Sequence, residues 1–144
     1  LLIGDRSAEE IKVRIGSAAG KERLESFDVR GRDLVSGLPK VVRITSTEVQ
    51  GALAESVNLI LEAVKRVLEK TPPELAADII DFGIVLTGGG ALLAGLDEVI
   101  IRATKIPVRI AENSLSCVAY GSGNALQSLD SLKEGIVRTR SENR

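Results

Sequence analysis

Ile84-Val85-Leu86-Thr87-Gly88-Gly89-Gly90-Ala91-Leu92-Leu93 runs from β-branched apolar residues into three consecutive glycines and out again into an apolar pattern. This order predicts a buried strand, a tight turn and a helix. Glycines without a Cβ let the backbone pass close to a flat or charged ligand, and amides at the start of the following helix would point outward with partial positive charge. A nucleotide-like ligand suits that geometry. The stretch is not a Walker A loop, since no Gly-Lys-Ser/Thr follows, and it lacks the Gly-x-Gly-x-x-Gly spacing of a dinucleotide fingerprint. Alone, it also fits a plain strand-to-helix turn that binds nothing.

Downstream, Ala91, Leu92, Leu96, Val99, Ile100 and Ala103 continue at helical spacing to about Thr104. Gly95 inside this pattern implies either a close contact or a separate turn over residues 91–94. Ile106-Pro107-Val108-Arg109-Ile110-Ala111 reads as a strand, so residues 84–111 predict a βαβ unit with a right-handed crossover. A last helix is expected from Asn113-Ser114 to Leu129, followed by a polar tail. Upstream, Thr71-Pro72-Pro73 stops one helix and starts a short one over residues 74–81, with Leu75, Ile79 and Ile80 inward. Residues 48–70 carry Val49, Leu53, Val57, Ile60, Leu61, Val64, Val67 and Leu68, the pattern of the longest helix, on the order of 35 Å, capped by Ser46 or Thr47. Residues 24–45 predict a hairpin or meander, with a break at Gly31-Arg32-Asp33 and a clean strand over residues 40–45. Ser7 and Glu10 have the spacing of a capping box for a helix over residues 8–17 with Ile11 and Ile15 inward, and residues 1–4 look like the end of a helix or a turn. Glu9 and Glu10 in that first turn complement the helix dipole, and Lys12 reads as a solvated charge.

Composition narrows the function classes. The chain has 144 residues, 44% apolar and 27% charged, which is the balance of one globular unit able to bury a core. A net charge of -1 and 2% aromatic residues leave no electrostatic or stacking case for nucleic acid. The single Cys117 forms no internal disulfide, and the absence of His argues against a zinc site and removes the commonest general base. Both fit a reducing cytoplasm. No run of eighteen apolar residues and no signal-peptide pattern occurs, so no membrane span is expected in this chain. There is no Met, and Leu-Leu-Ile-Gly at the start reads as the middle of a longer protein.

Three separated stretches, taken together, are more specific than any one of them. They are Leu2-Ile3-Gly4-Asp5-Arg6-Ser7-Ala8-Glu9-Glu10-Ile11-Lys12, Thr71-Pro72-Pro73-Glu74-Leu75-Ala76-Ala77-Asp78-Ile79-Ile80, and Leu86-Thr87-Gly88-Gly89-Gly90-Ala91-Leu92-Leu93 with Cys117-Val118-Ala119 downstream. In this order they resemble the C-terminal part of MreB and its paralogue Mbl, the bacterial actin-like cell-shape proteins. The resemblance implies an α/β protein of the actin-like ATPase fold, in which two lobes close over ATP and magnesium. Residues 1–70 would be the α+β upper subdomain of the second lobe, residues 71–130 its α/β base, and residues 131–144 a polar tail.

By the same resemblance, Gly88, Gly89, Gly90, Ala91 and Leu92 form the loop against the adenosine and its phosphates, while Glu9, Glu10 and Lys12 close over adenine and ribose. A carboxylate can accept from ribose hydroxyls, and a lysine stem can cover a base edge. The family's two phosphate loops, with the acids that hold magnesium and position water, would lie upstream of Leu1. Asp78, Asp81 and Asp97 are explained as solvated helix ends, so no catalytic or metal residue is assigned, and the chain alone is not expected to hydrolyse ATP. The implied protein is a slow ATPase that stacks head to tail into a homopolymer, works with cell-wall elongation proteins, and sits in the cytoplasm against the membrane through segments outside this chain. The hairpin over residues 30–43 and the base near residues 74–81 are the expected filament surfaces. Ile84, Val85 and Ile110 are expected to build one apolar face covered by the other half. A small-molecule kinase or a chaperone nucleotide-binding lobe of the same superfamily is the alternative. The kinase would need a substrate acid that no residue here is poised to supply, and the chaperone would lack Pro72-Pro73-Glu74-Leu75 in this spacing.

Overall fold

The computed structural model of the chain describes residues 1–20 and 25–128. Its elements run α1 (Asp5–Ile15), β1 (Ser26–Arg32), β2 (Pro39–Thr45), α2 (Ser46–Lys70), α3 (Pro73–Phe82), β3 (Ile84–Leu86), a 3-10 turn (Gly89–Leu92), α4 (Leu96–Thr104), β4 (Val108–Ile110) and α5 (Cys117–Gln127). The expected end of the last helix at Leu129 and the polar tail lie outside the described residues.

Two apolar clusters organise these elements. Ile11, Ile15 and Val29 form the first, with Ile3, Phe27, Ile44 and Val49 against it. Val57, Leu96 and Ile100 form the second, flanked by Leu53, Leu61, Val64, Ile84, Leu86 and Val108 among others. Helix α2, 25 residues long, serves both: Val49 in its first turn packs on the first cluster, and the stripe from Leu53 to Val64 packs on the second. One long amphipathic helix thus carries the hairpin at one end and the βαβ unit along its middle.

The hairpin forms in the register Ser26↔Thr45 through Arg32↔Pro39. Arg43 donates from Nε and Nη2 to the Asp28 carboxylate directly across the strands, at 2.7 and 3.1 Å. Strand β1 runs through Gly31 and ends at Arg32, inside the Gly31-Arg32-Asp33 break that the sequence suggested. Leu2 pairs with Arg32 in an antiparallel bridge, and a Cβ on Gly31 would run into the Leu2 carbonyl, so the glycine marks a close backbone crossing. That bridge also corrects the reading of the N-terminus. Residues 1–4 are not the end of a helix; Leu2 lies in the bridge and Gly4 is extended, and α1 starts at once on Asp5 with Gly4 as its cap. Ser7 then lies within the first turn, where its N–H donates to the Gly4 carbonyl, and the capping box expected there does not form. A capping box does form at α2, one residue before the expected cap. The Thr45 hydroxyl accepts from the Glu48 amide, and the Glu48 carboxylate accepts from the Thr45 amide at 2.8 Å.

In the base, β3 and β4 pair in parallel, Ile84↔Val108 to Leu86↔Ile110, joined through the 3-10 turn and α4 as a βαβ unit. Of the two expectations for Gly95, the close contact holds, and the separate turn lies two residues earlier than residues 91–94. Residues 89–92 are a separate turn, and Gly95 at φ 73° places its α-carbon against Ala19, where a Cβ would stand 2.5 Å from the Ala19 Cβ. Two other expectations fail for reasons of tertiary context. Pro73 opens α3 as predicted, but Leu75 and Ile80 are exposed and none of α3 is buried, because periodicity names an apolar face without supplying what covers it. Ile84, Val85 and Ile110 do not share a face. Ile84, Leu86 and Val108 turn toward the second cluster, and strand alternation sends Val85 to the opposite side. Helix α5 begins at Cys117 instead of near Asn113, since the Ser116 amide closes a turn onto the Asn113 carbonyl.

Candidate functional site

The glycine loop is built on the end of β3. Gly88 adopts φ 82° and ψ 176°, a conformation open essentially to glycine alone, and its N–H donates to the Ser114 carbonyl at 2.7 Å. The next amides differ. Ala91 donates back to the Gly88 carbonyl and Leu93 to the Gly90 carbonyl, but among the described residues nothing accepts from the N–H of Gly89 or Gly90. The sequence pointed to a helix dipole behind these amides. The structure has a four-residue 3-10 turn there, and α4 starts only at Leu96, so the loop offers two free donors and the absence of side chains instead of a macrodipole.

Helix α1 stands across from this loop. Its Lys12 Nζ lies 2.6 Å from the Glu9 carboxylate, and Arg14 Nη2 lies 3.0 Å from that of Glu10. The two elements are stitched together where α1 exits. Ser17, almost fully buried, donates its hydroxyl to the Ala94 carbonyl at 3.2 Å, and the Ala18 amide donates to the same oxygen at 2.8 Å. Between α1 and the glycine turn lies a cavity of about 510 Å³. Glu9, Lys12 and Val13 line it from α1, Leu53, Ser56, Val57 and Ile60 from α2, Gly89, Gly90, Leu92, Leu93 and Leu96 from the glycine turn and its link into α4, and Leu115 from the turn after β4.

Five of the residues singled out from the sequence therefore meet on one cavity: Glu9, Lys12, Gly89, Gly90 and Leu92. Three do not line it. Glu10, one residue on along α1, turns away toward Arg14; Gly88 is tied to Ser114 behind the loop; Ala91 is buried beneath the turn. Sequence reasoning missed Val13, Ser56, Ile60 and Leu115 as lining residues. Leu115 carried a signal, being the one apolar side chain in Asn113-Ser114-Leu115-Ser116, but which cavity it faces depends on the turn that Gly88 holds. Chemically the cavity offers apolar walls, two amide donors, one carboxylate and one ammonium, which is equipment for binding a flat body with a polar edge. Among the described residues no group of three or more Cys, Asp or Glu could hold a metal ion, and no helix is long and apolar enough to cross a membrane.

Comparison with known proteins bears directly on this arrangement. The family model of the MreB/Mbl protein matches residues 1–134. The chain belongs to the MreB/Mbl family. It is 52% identical over 132 residues to the cell shape-determining protein Mbl of Bacillus subtilis, covering 92% of this chain and 40% of that protein. It is 48% identical over 129 residues to the cell shape-determining protein MreB of Escherichia coli K12, covering 90% of this chain and 37% of that one. Among solved structures, MreB5 of Spiroplasma citri bound to ADP superposes with a TM-score of 0.85 at 39% identity, over 92% of this chain and 40% of that chain. The same protein bound to AMPPNP also gives 0.85, at 38% identity. The fold of this MreB/Mbl chain is thus the α/β actin-like fold, and the chain spans about 40% of the length of these relatives.

Proposed function

We propose that this chain supplies one wall of the ATP site, and one set of filament contacts, in an actin-like protein that maintains rod cell shape by organising cell-wall elongation beneath the membrane. The observation that carries the nucleotide reading is the single cavity joining Glu9 and Lys12 of α1 to Gly89 and Gly90. Its volume lies within the range of about 300–1,000 Å³ usual for small-ligand sites. The residues fit the ligand. A Cβ at Gly90 would stand in open space, one at Gly89 would meet only Leu115 Cδ2 at 3.5 Å, and both amides are free to donate. The ADP and AMPPNP bound to MreB5 of Spiroplasma citri support the same reading. In this proposal Gly89 and Gly90 donate to oxygens of the nucleotide, Glu9 accepts from the ribose hydroxyls, and Lys12 covers the base edge while its charge is held by Glu9. Bound ATP would supply a phosphoanhydride whose hydrolysis switches the polymer, with magnesium held by residues other than the described ones.

The filament contacts rest on exposed apolar surface. Leu34, Val35 and Leu38 protrude from the hairpin tip, and Leu75, Ile80 and Phe82 from α3. A head-to-tail stack sets one against the other between successive subunits. Cell-wall elongation proteins, and membrane contact through other segments, complete the reading of a cytoplasmic, membrane-associated filament. Membership of the MreB/Mbl family sets aside the kinase and chaperone alternatives.

The test is ATP binding and filament pelleting of the full-length protein beside its Gly89→Glu variant. A carboxylate projecting into the cavity collides with the nucleotide and repels its phosphates, so binding and pelleting are both expected to be lost. Undiminished ATP affinity in a folded variant would reduce the loop to a turn and overturn the proposal.

A further inference from the structure

Leu115 is an apolar side chain that the fold holds out in the open. It is 71% exposed, although the turn that carries it is held by backbone hydrogen bonds on both sides of it. The Ser114 carbonyl accepts from Gly88, the Ser116 amide donates to the Asn113 carbonyl, and Ser114 itself is buried. Leu115 therefore projects over the glycine turn, its Cδ2 3.5 Å from where a Cβ on Gly89 would stand. Val13 of α1, Ile60 of α2 and Leu92 of the 3-10 turn are exposed as well, and all of them line the same cavity. Four apolar side chains from four parts of the chain are thus left facing one space. Leaving them in water forgoes the burial that would stabilise them elsewhere in the fold.

We infer that Leu115 packs against the face of the nucleotide base and makes the site prefer a purine. This rests on the nucleotide reading above and extends it to a residue in neither the glycine motif nor α1. A phosphate is strongly hydrated and gains nothing from a leucine, and a ribose presents hydroxyls around most of its rim. The base alone offers a flat face whose burial is favourable, and the two fused rings of a purine cover more of Leu115 than the single ring of a pyrimidine does. Because the turn is pinned through Gly88, the leucine is placed before the ligand arrives, and little ordering is required on binding.

The experiment titrates ATP and CTP into the full-length protein and its Leu115→Ala and Leu115→Met variants by calorimetry. Leu115→Ala is expected to weaken ATP about tenfold and CTP about threefold or less, so that the preference for ATP falls, while Leu115→Met restores it by keeping apolar cover. Circular dichroism and melting temperature check that the exposed truncation leaves the fold intact. An unchanged ratio of ATP to CTP affinity in Leu115→Ala, whether both affinities hold or both fall together, would overturn the role of Leu115 and leave the nucleotide site standing. Wild-type protein that binds neither nucleotide would overturn the site itself, and this inference with it.

Discussion

Replacing Gly95 by alanine probes the contact that holds the two walls of the cavity together. The residue sits at φ 73°, and a Cβ there would lie 2.5 Å from the Ala19 Cβ and 3.0 Å from the Ala19 amide nitrogen. Left-handed backbone costs an L-residue roughly 1–2 kcal/mol. Overpacking against backbone adds about 1–3 kcal/mol, because Ala19 is tethered by its neighbour Ala18, whose amide donates to the Ala94 carbonyl. A total near 3 kcal/mol corresponds to a urea midpoint lowered by about 1.5 M at a slope of about 2 kcal/mol/M. Gly37→Ala is the control. Its φ is 72°, but nothing lies within 4 Å of the added carbon, so only the backbone cost of roughly 1–2 kcal/mol applies. Both variants are measured by urea unfolding followed by far-ultraviolet circular dichroism. If Gly95→Ala loses no more than Gly37→Ala, the apposition of Ala19 and Gly95 is not present in solution, and the account of how the cavity walls are fixed fails with it.

Three other outcomes are expected from the same geometry. The hydrogen bond from the Val35 amide, then that from Lys40 Nζ, lowers the Asp33 carboxyl from 3.8 to about 2. A depressed carboxyl stabilises the hairpin tip above its unfolded value and stops doing so as pH falls through the folded one, so the Val35 and Gly37 amide resonances are expected to move with a midpoint at about pH 2. A midpoint at 3.8 would show that the tip is not held this way. Glu9→Gln is expected to weaken ATP binding severalfold, while Glu10→Gln, which disturbs only the exposed pair with Arg14, leaves it within about twofold; equal losses would mean that α1 contributes through net charge alone. Leu38→Glu, at a position 65% exposed, should leave ATP binding intact and reduce pelleting of the full-length protein, and unchanged pelleting would remove the hairpin tip from the filament contact.

Local chemistry was legible in the sequence wherever a residue acts on its own neighbours. The proline pair that separates α2 from α3, the stripe on α2, the hairpin with its clean second strand, and the glycine triplet closing a strand all act within a few residues of themselves, so periodicity and turn chemistry sufficed to place them, although that strand is only half-buried and not buried as its apolar run suggested. The resemblance to MreB and Mbl came from such stretches in order. The cap of α2, the start of α5 and the 3-10 turn in place of a helix after the glycines were misread locally, and the other errors lie where distant segments meet. Gly31 looked like part of a break until Leu2 was seen to cross it, Ser7 lost its cap because that same bridge sets where α1 starts, and Val85 parted from Ile84 once the parallel pairing set the faces. Glu9 and Glu10 are indistinguishable in sequence, yet the roughly 100° between successive helical residues puts one on the cavity and turns the other to Arg14. Sequence by itself determined which segments become helix, strand and glycine turn, because those choices are settled by forces that act along the chain. Which side chains share a cavity was decided only by tertiary packing, since Lys12, Gly89 and Leu115 are brought together by bonds such as those from Ala18 to Ala94 and from Gly88 to Ser114, whose partners no local pattern names.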